Sequence, residues 1–208
     1  MKEKVLSIIS VLRQQYPDAL CALQYEKDYE LMIAVRLSAQ CTDARVNLVT
    51  PALFAAYPTL ESLANAHIED IEHYIHSCGF YRQKAKDIVY ACQMLLKDYD
   101  GKVPGTMEEL LKLPGVGRKT ANLLLGDIYG TPGSVVCDTH CIRICGRLGL
   151  SSGTDPEKVE KQLRAILPPE ESSDFCHRIV LFGRDICTAR SPKCGQCPLS
   201  QLCNQWVK

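Results

Sequence analysis

No stretch of this sequence approaches the roughly 20 consecutive apolar residues that a membrane-spanning helix needs. The amphipathic segment from Met1 to Arg13 lacks the cleavage pattern of a secretory signal. Both absences point to a soluble, intracellular protein, expected in the cytoplasm. Net charge is lacking too, with 24 basic side chains balancing 24 acidic ones. That argues against a simple polycationic nucleic-acid binder but leaves room for a local basic face. Alternating strand patterns are nearly missing, Val135-Val136 being too short to count, which removes sheet-based folds. There is no internal repeat and no low-complexity segment. Aromatics are scarce at 7%, yet apolar residues make up 46% of the chain, enough for a real core. A length of 208 residues suits one large domain or two small ones sharing an interface.

The charges that are present are unevenly placed. Lys112, Arg118, Lys119, Arg143 and Arg147 stand against only Asp127 and Asp138 in residues 112–147. Arg184, Arg190, Lys193 and Lys208 stand against Asp185 alone in 184–208, whereas 59–74 hold four acids and no lysine or arginine. One face that meets phosphates and another that repels them gives such a pattern. Ordinary surface scatter gives it equally.

Cysteine is the abundant exception, at twelve residues. A disulfide scaffold is usually shorter, secreted and loop-rich. Here eight thiols are dispersed through apolar helical stretches, Cys21, Cys92 and Cys176 among them, and four are clustered at the end. Dispersed packing thiols with one tight cluster suit a reducing compartment and a metal site. Cys137, Cys141 and Cys145 fall on one helix face at i, i+4 and i+8, where packing is their expected role.

Apolar positions recur at helical spacing almost throughout. Leu31, Ile33, Ala34 and Leu37 outline one helix, Ile71, Tyr74 and Ile75 another, and Lys84 to Leu96 a third. Thr106 with Glu109 and Thr154 with Glu157 read as capping boxes, the second followed by Pro156 at an early helical position. Ser173 to Cys187 forms a later amphipathic helix. The expected fold is all-α, with about ten short helices. The Gly130-Thr131-Pro132-Gly133 turn is the expected domain boundary, after a helical block starting near residue 21.

Two helices flank Leu113-Pro114-Gly115-Val116-Gly117. Pro114 stops the first, and Gly115 and Gly117 permit unusual backbone angles and close approach of another molecule. The second helix begins near Arg118, and its unpaired first amides suit a phosphate. This is the pattern of a helix–hairpin–helix that grips one DNA strand without reading sequence, although a plain joint in a helical bundle shares the two glycines. No strand precedes the hairpin and the P-loop spacing is missing, so a nucleotide loop fits poorly. Lys119 sits in the first helical turn, where the dipole and partial desolvation in a cleft would favour its neutral, nucleophilic form. A phosphate-bound lysine is the competing role. Asp138, just before a helix carrying Ile142, Ile144 and Leu148, suits an N-cap. It equally suits a carboxylate that stabilises positive charge on a sugar, and the two roles are compatible.

Cys187, Cys194, Cys197 and Cys203 give the spacing C-x6-C-x2-C-x5-C. Four thiolates so spaced fit tetrahedral zinc and a 4Fe–4S cube equally well. Arg190 and Lys193 lie in the first loop, where a metal-folded turn would present them to phosphates.

The hairpin from Leu113 to Ala121, the segment Val136-Cys137-Asp138-Thr139-His140 and the terminal cysteines together resemble the bacterial endonuclease III family. The likeness covers nearly the whole chain. Leu37-Ser38-Ala39-Gln40 and Gly79-Phe80-Tyr81 fall where that family has its DNA-probing loops. The resemblance implies two helical domains with DNA in the cleft between them, a six-helix domain over 21–130 and a cluster domain made of 1–20 and 131–208. It implies a 4Fe–4S cluster on the four cysteines. It also implies a glycosylase and abasic-site lyase acting as a monomer on duplex DNA with oxidised pyrimidines or abasic sites. Lys119 would attack the sugar and Asp138 assist, while Gln40 and Phe80 fill the gap left by the extruded nucleotide. Leu113, Gly115, Val116, Gly117, Arg118, His140, Arg190 and Lys193 would contact DNA. Phe80 stands where the family often has an aliphatic residue, and Cys137 where valine usually precedes the aspartate.

Three other functions deserve weighing. An adenine-mispair glycosylase of the same superfamily typically lacks the lysine. A non-catalytic hairpin module with a structural metal needs neither Lys119 nor Asp138. An electron carrier leaves the large helical remainder unexplained.

Overall fold

The computed structural model describes residues 1–205; Lys208, counted above among the basic residues, lies outside them. Among the described residues there are helices and turns but no strand. The eleven α-helices are α1 (Lys2–Gln15), α2 (Asp28–Ser38), α3 (Asp43–Ala56), α4 (Leu60–Ala64), α5 (Ile68–Ile75), α6 (Tyr81–Asp98), α7 (Met107–Leu110), α8 (Arg118–Tyr129), α9 (Thr139–Leu148), α10 (Pro156–Arg164) and α11 (Ser172–Asp185). The chain divides into two compact units, residues 22–128 and residues 1–21 with 129–208.

In the 22–128 unit, Leu31, Ile33, Leu37, Leu53, Leu63, Ile71, Ile75, Leu95 and Leu124 are fully buried. Each such aliphatic side chain contributes about 1.5–3 kcal/mol relative to exposure. Their 3- and 4-residue spacing is why these segments are helical. Helix α6 packs on α2, α4 and α5, and α3 packs on α2 and α5. Helix α3 runs through Pro51, which removes one ladder bond. Its start is fixed by Thr42, whose side chain accepts from the Arg45 amide at 3.2 Å.

The other unit joins the two ends of the chain. Val5, Ile8, Ile9 and Leu12 of α1 and Phe175, Ile179 and Phe182 of α11 are buried, and the two helices pack together, with α9 also on α11. Arg178 Nε donates to the Tyr16 carbonyl at 3.3 Å. Arg13 pairs with Glu171, and the Tyr16 hydroxyl donates to Asp185 Oδ2 at 3.2 Å.

Three expectations need correcting. The cap of α10 is Asp155, whose carboxylate accepts from the Lys158 amide at 2.8 Å, not Thr154. Pro156 forces this, because the residue before a proline is held out of helical geometry and so becomes the boundary. Cys21 lies in an irregular segment outside any helix. The Thr106 box also closes differently from expectation. The Thr106 hydroxyl accepts from the Glu109 amide at 3.3 Å and itself donates to the Glu109 carboxylate at 2.6 Å.

Candidate active site and cluster loop

Helix α7 ends at Leu110, and the chain turns so that the Val116 amide donates to the Leu113 carbonyl at 3.1 Å. Pro114 and Gly115 occupy the two central positions, and Gly115 has φ +74°, as a proline–glycine turn requires. A Cβ on Gly115 would lie 2.5 Å from Arg36 Nε and 2.9 Å from Asp87 Oδ2. The turn is therefore seated on an ion pair between α2 and α6 and has no room for a side chain. Gly117 differs from expectation. Its φ is not positive, and a Cβ there would meet nothing within 4 Å. What it offers is open space in front of the backbone.

The first internal bond of α8 runs from the Ala121 amide to the Gly117 carbonyl, 2.9 Å. The amides of Gly117 and Lys119 thus lie ahead of the helix's own ladder, where positive partial charge collects. Leu113 and Val116 are 2% and 8% exposed, and their amides are spent inside the turn. They shape the hairpin from beneath, so their expected contact with DNA has little left to use. Arg118 is half-buried and Lys119 exposed. The desolvation expected at Lys119 is not supplied by the protein alone.

Asp138 caps α9, its Oδ1 accepting from the Cys141 amide at 2.7 Å. The side chain is half-buried, so one oxygen is fixed by the helix that follows. The His140 ring lies against Gly183, where a Cβ would come within 2.4 Å of Nδ1, and Arg143 Nη2 stands 3.3 Å from the same nitrogen. Lys119 belongs to the 22–128 unit and Asp138 to the other.

The loops at Gln40 and Phe80, expected to probe DNA, come together within their own unit. Gln40 has φ 54° and Phe80 φ 53°, both left-handed, and Phe80 is 68% exposed. A non-glycine residue held so costs about 1–2 kcal/mol. A Cβ on Gly79 would stand 3.8 Å from the Gln40 carbonyl oxygen, so the two loops run side by side. Lys84, 1% exposed, reaches from α6 to the carbonyls of both.

The four terminal cysteines surround a cavity of about 190 Å³ that Arg147, Ile186, Pro192 and Lys193 also line. Among the described residues no three His, Cys, Asp or Glu side chains converge tightly enough for one metal ion. Four thiols spread around a cavity fit a multi-atom iron–sulfur cube better than a single zinc, which draws its ligands to roughly 2.3 Å. Arg147 organises the loop, donating from Nη1 to Cys187 Sγ at 3.3 Å and to the Thr188 carbonyl at 2.9 Å, and from Nη2 to the Ala189 carbonyl at 3.1 Å. Arg190 is exposed, and Lys193, also exposed, pairs with Asp185 at 3.3 Å. Cys137, Cys141 and Cys145 are buried, but Cys137 precedes the α9 cap Asp138 and so does not share a helix face with the other two, as the spacing had suggested. Hydrogen bonds with Cys137, Cys145 and Cys176, and then burial, raise the Cys141 thiol well above the usual range.

Arg36, Asp87, Lys84 and Arg147 are supporting residues that motif reading missed. The available signal was a charge at a core-facing helical position. Arg36 interrupts the apolar run from Leu31 to Leu37, and Lys84 falls four residues before buried Ile88.

Comparison with known proteins follows the same lines. Residues 33–169 match the profile of the HhH-GPD superfamily base excision DNA repair proteins, and residues 187–203 that of the iron–sulfur binding domain of endonuclease III. The chain is 46% identical to endonuclease III of Synechocystis over 97% of its own length and 92% of the relative's. Against endonuclease III of Escherichia coli K12 the identity is 39%, over 97% and 95%. It superposes with TM-score 0.92 on a trapped endonuclease III–DNA covalent intermediate, at 44% identity, covering 98% of this chain and 96% of that one.

Proposed function

Because this chain belongs to the endonuclease III family of the HhH-GPD superfamily, we propose that Lys119 and Asp138 carry its chemistry and that oxidised pyrimidines in duplex DNA are its substrates. It is a base-excision repair DNA glycosylase with abasic-site lyase activity and carries a 4Fe–4S cluster. One observation supports Lys119 above all. Its exposed side chain stands in the first turn of α8, directly after a hairpin whose Gly117 faces open space. DNA laid against that backbone brings a phosphate to the α8 amides and a sugar to the amine. Bound DNA then also supplies the desolvation that the protein alone does not.

The free amine of Lys119 attacks the sugar C1′, and the C1′–N bond to the base breaks with its electron pair leaving on the base, which takes up a proton. Asp138, oriented by the Cys141 amide, stabilises the positive charge that develops on the sugar. The ring opens to a protonated imine, loss of a C2′ proton expels the 3′ phosphate, and water releases the enzyme. Gln40 and Phe80 occupy the space of the extruded nucleotide. The hairpin backbone, Arg118, His140, Arg190 and Lys193 hold phosphates. Cys187, Cys194, Cys197 and Cys203, which line one cavity, would hold the cluster. The protein acts as a monomer, in the cytoplasm with the DNA.

Borohydride added during turnover on duplexes carrying single oxidised pyrimidines should trap a protein–DNA adduct, and Lys119→Ala should abolish it. Normal trapping by the variant refutes the assignment. Excision of adenine from mispairs, with intact pyrimidine lesions, would move the protein to the adenine glycosylases.

A further inference from the structure

Lys84 has no part in the chemistry just described, yet it is the most deeply buried cation among the described residues. Its Nζ donates to the carbonyls of Leu37 at 2.8 Å, Ala39 at 2.7 Å and Cys78 at 2.7 Å. An ammonium has three hydrogens, and all three are used. Leu37 and Ala39 lie at the end of α2, and Cys78 just beyond the end of α5. Helix α2 therefore turns the negative end of its dipole toward the charge, and the Cys78 carbonyl supplies the third acceptor, which together offset its removal from water. The Lys84 backbone amide also donates to the Phe80 carbonyl at 3.1 Å.

One residue thus grips the backbone directly before Gln40, two residues before Phe80, and at Phe80 itself. These are the two adjacent loops whose tips are held in left-handed geometry. Such geometry persists only where the surroundings impose it. From this juxtaposition we infer that Lys84 is a positioning residue that locks residues 38–41 and 78–80 into a single two-pronged wedge, so that Gln40 and Phe80 enter the duplex as one unit. Lys84 touches neither DNA nor the reacting sugar. It acts through the carbonyls that fix both prongs, and the inference rests on the wedge role given to Gln40 and Phe80 above.

The test is Lys84→Met, which keeps the length of the side chain and the backbone bond to Phe80 and removes all three Nζ donors. Two duplexes are compared, one with an oxidised pyrimidine opposite its normal partner and one with the same lesion opposite an abasic-site analogue, where extrusion costs less. On the paired lesion kcat/KM should fall by about tenfold to a hundredfold, the scale of a misplacement of about 1 Å. On the unpaired lesion it should stay within about threefold of the parent, because less depends on the wedge. Adding Lys84→Met to a Gln40→Ala, Phe80→Ala protein should cost little more on the paired duplex. Equal loss on both duplexes, no loss on either, or full additivity with the wedge substitutions overturns the inference. If Lys84→Met does not fold, Lys84→Arg, which keeps the charge but shifts the donors, carries the same comparison with the same ordering of the two duplexes. Failure of the wild-type protein to form a borohydride adduct on abasic DNA would instead sink the function proposed above, whatever Lys84 does.

Discussion

Asp87 presents a single carboxylate oxygen to two donors of Arg36, with Nε at 2.7 Å and Nη2 at 2.6 Å from Oδ2. Gln83 donates to the other oxygen, Oδ1, at 2.8 Å. The pair joins α2 to α6, and the hairpin's Gly115 rests directly on it. The seat of the hairpin is thereby tied to a charge pair contributed by two other helices.

The two hairpin glycines should respond in opposite ways to alanine. Gly115→Ala meets a positive φ and an approach of 2.5 Å, so it should lose about 2 kcal/mol of stability or more, with weaker DNA binding. Gly117→Ala meets no internal atom. It should leave the melting temperature within a few degrees of the parent while weakening binding to a non-cleavable abasic duplex by about tenfold. Denaturation curves beside binding isotherms check both, and normal binding by Gly117→Ala would remove the hairpin from the DNA interface.

Asparagine caps a helix about as well as aspartate. Asp138→Asn should therefore keep stability within about 0.5 kcal/mol while slowing single-turnover cleavage by at least about a hundredfold. Asp138→Ala should lose cleavage and also about 1 kcal/mol of stability, because the Cys141 amide loses its acceptor. Equal cleavage by Asp138→Asn and the parent would leave Asp138 a cap and nothing more.

The purified protein should be brown, absorbing near about 400 nm. Arg147→Met removes three hydrogen bonds to residues 187–189. Bleaching of that absorbance under a chelator should then run about tenfold faster, as the loss of a ligand's supporting partner usually does. A colourless protein with stoichiometric zinc would overturn the cofactor assignment.

With the cluster intact, Cys21 and Cys41 should be the thiols that react fastest with a disulfide reagent, since both are half-buried and neither is a cluster ligand. Burial, then the Cys41 thiol beside it, pushes Cys78 up to about 11, and burial pushes Cys92 up to about 12. Both therefore remain protonated and unreactive at neutral pH. Mass spectrometry of the labelled peptides checks this, and early labelling of Cys92 would contradict its burial.

Residues whose chemistry depends on local sequence were the readable ones. The hairpin needs proline and glycine at adjacent positions, the cap needs aspartate before an apolar helical run, and the cluster needs four cysteines close in the chain. Partnerships across long separations were not readable. Arg36 and Asp87 lie 51 residues apart, and Lys84 bonds a carbonyl 47 residues away. Nothing in a motif announces a charge buried against backbone carbonyls. Helix α3 was obscured for a different reason, because Pro51 breaks the pattern that packing overrides. Asp155 displaced Thr154 through one proline. The openness of Lys119 to solvent could not be read at all, since exposure belongs to the assembled surface.

The partnership of α1 with α11 sets an order on how the molecule matures. Arg13 finds Glu171 only after 158 further residues have been made. Domains fold largely as units during synthesis, so α2 to α8 can settle while the first helix is still an orphan with its apolar stripe in water. Iron and sulfide arrive at a loop downstream even of α11. A chain stalled in synthesis before α11 would hold a finished hairpin, an unprotected amphipathic leader, and no cluster. That leader is the segment a chaperone would be expected to shelter.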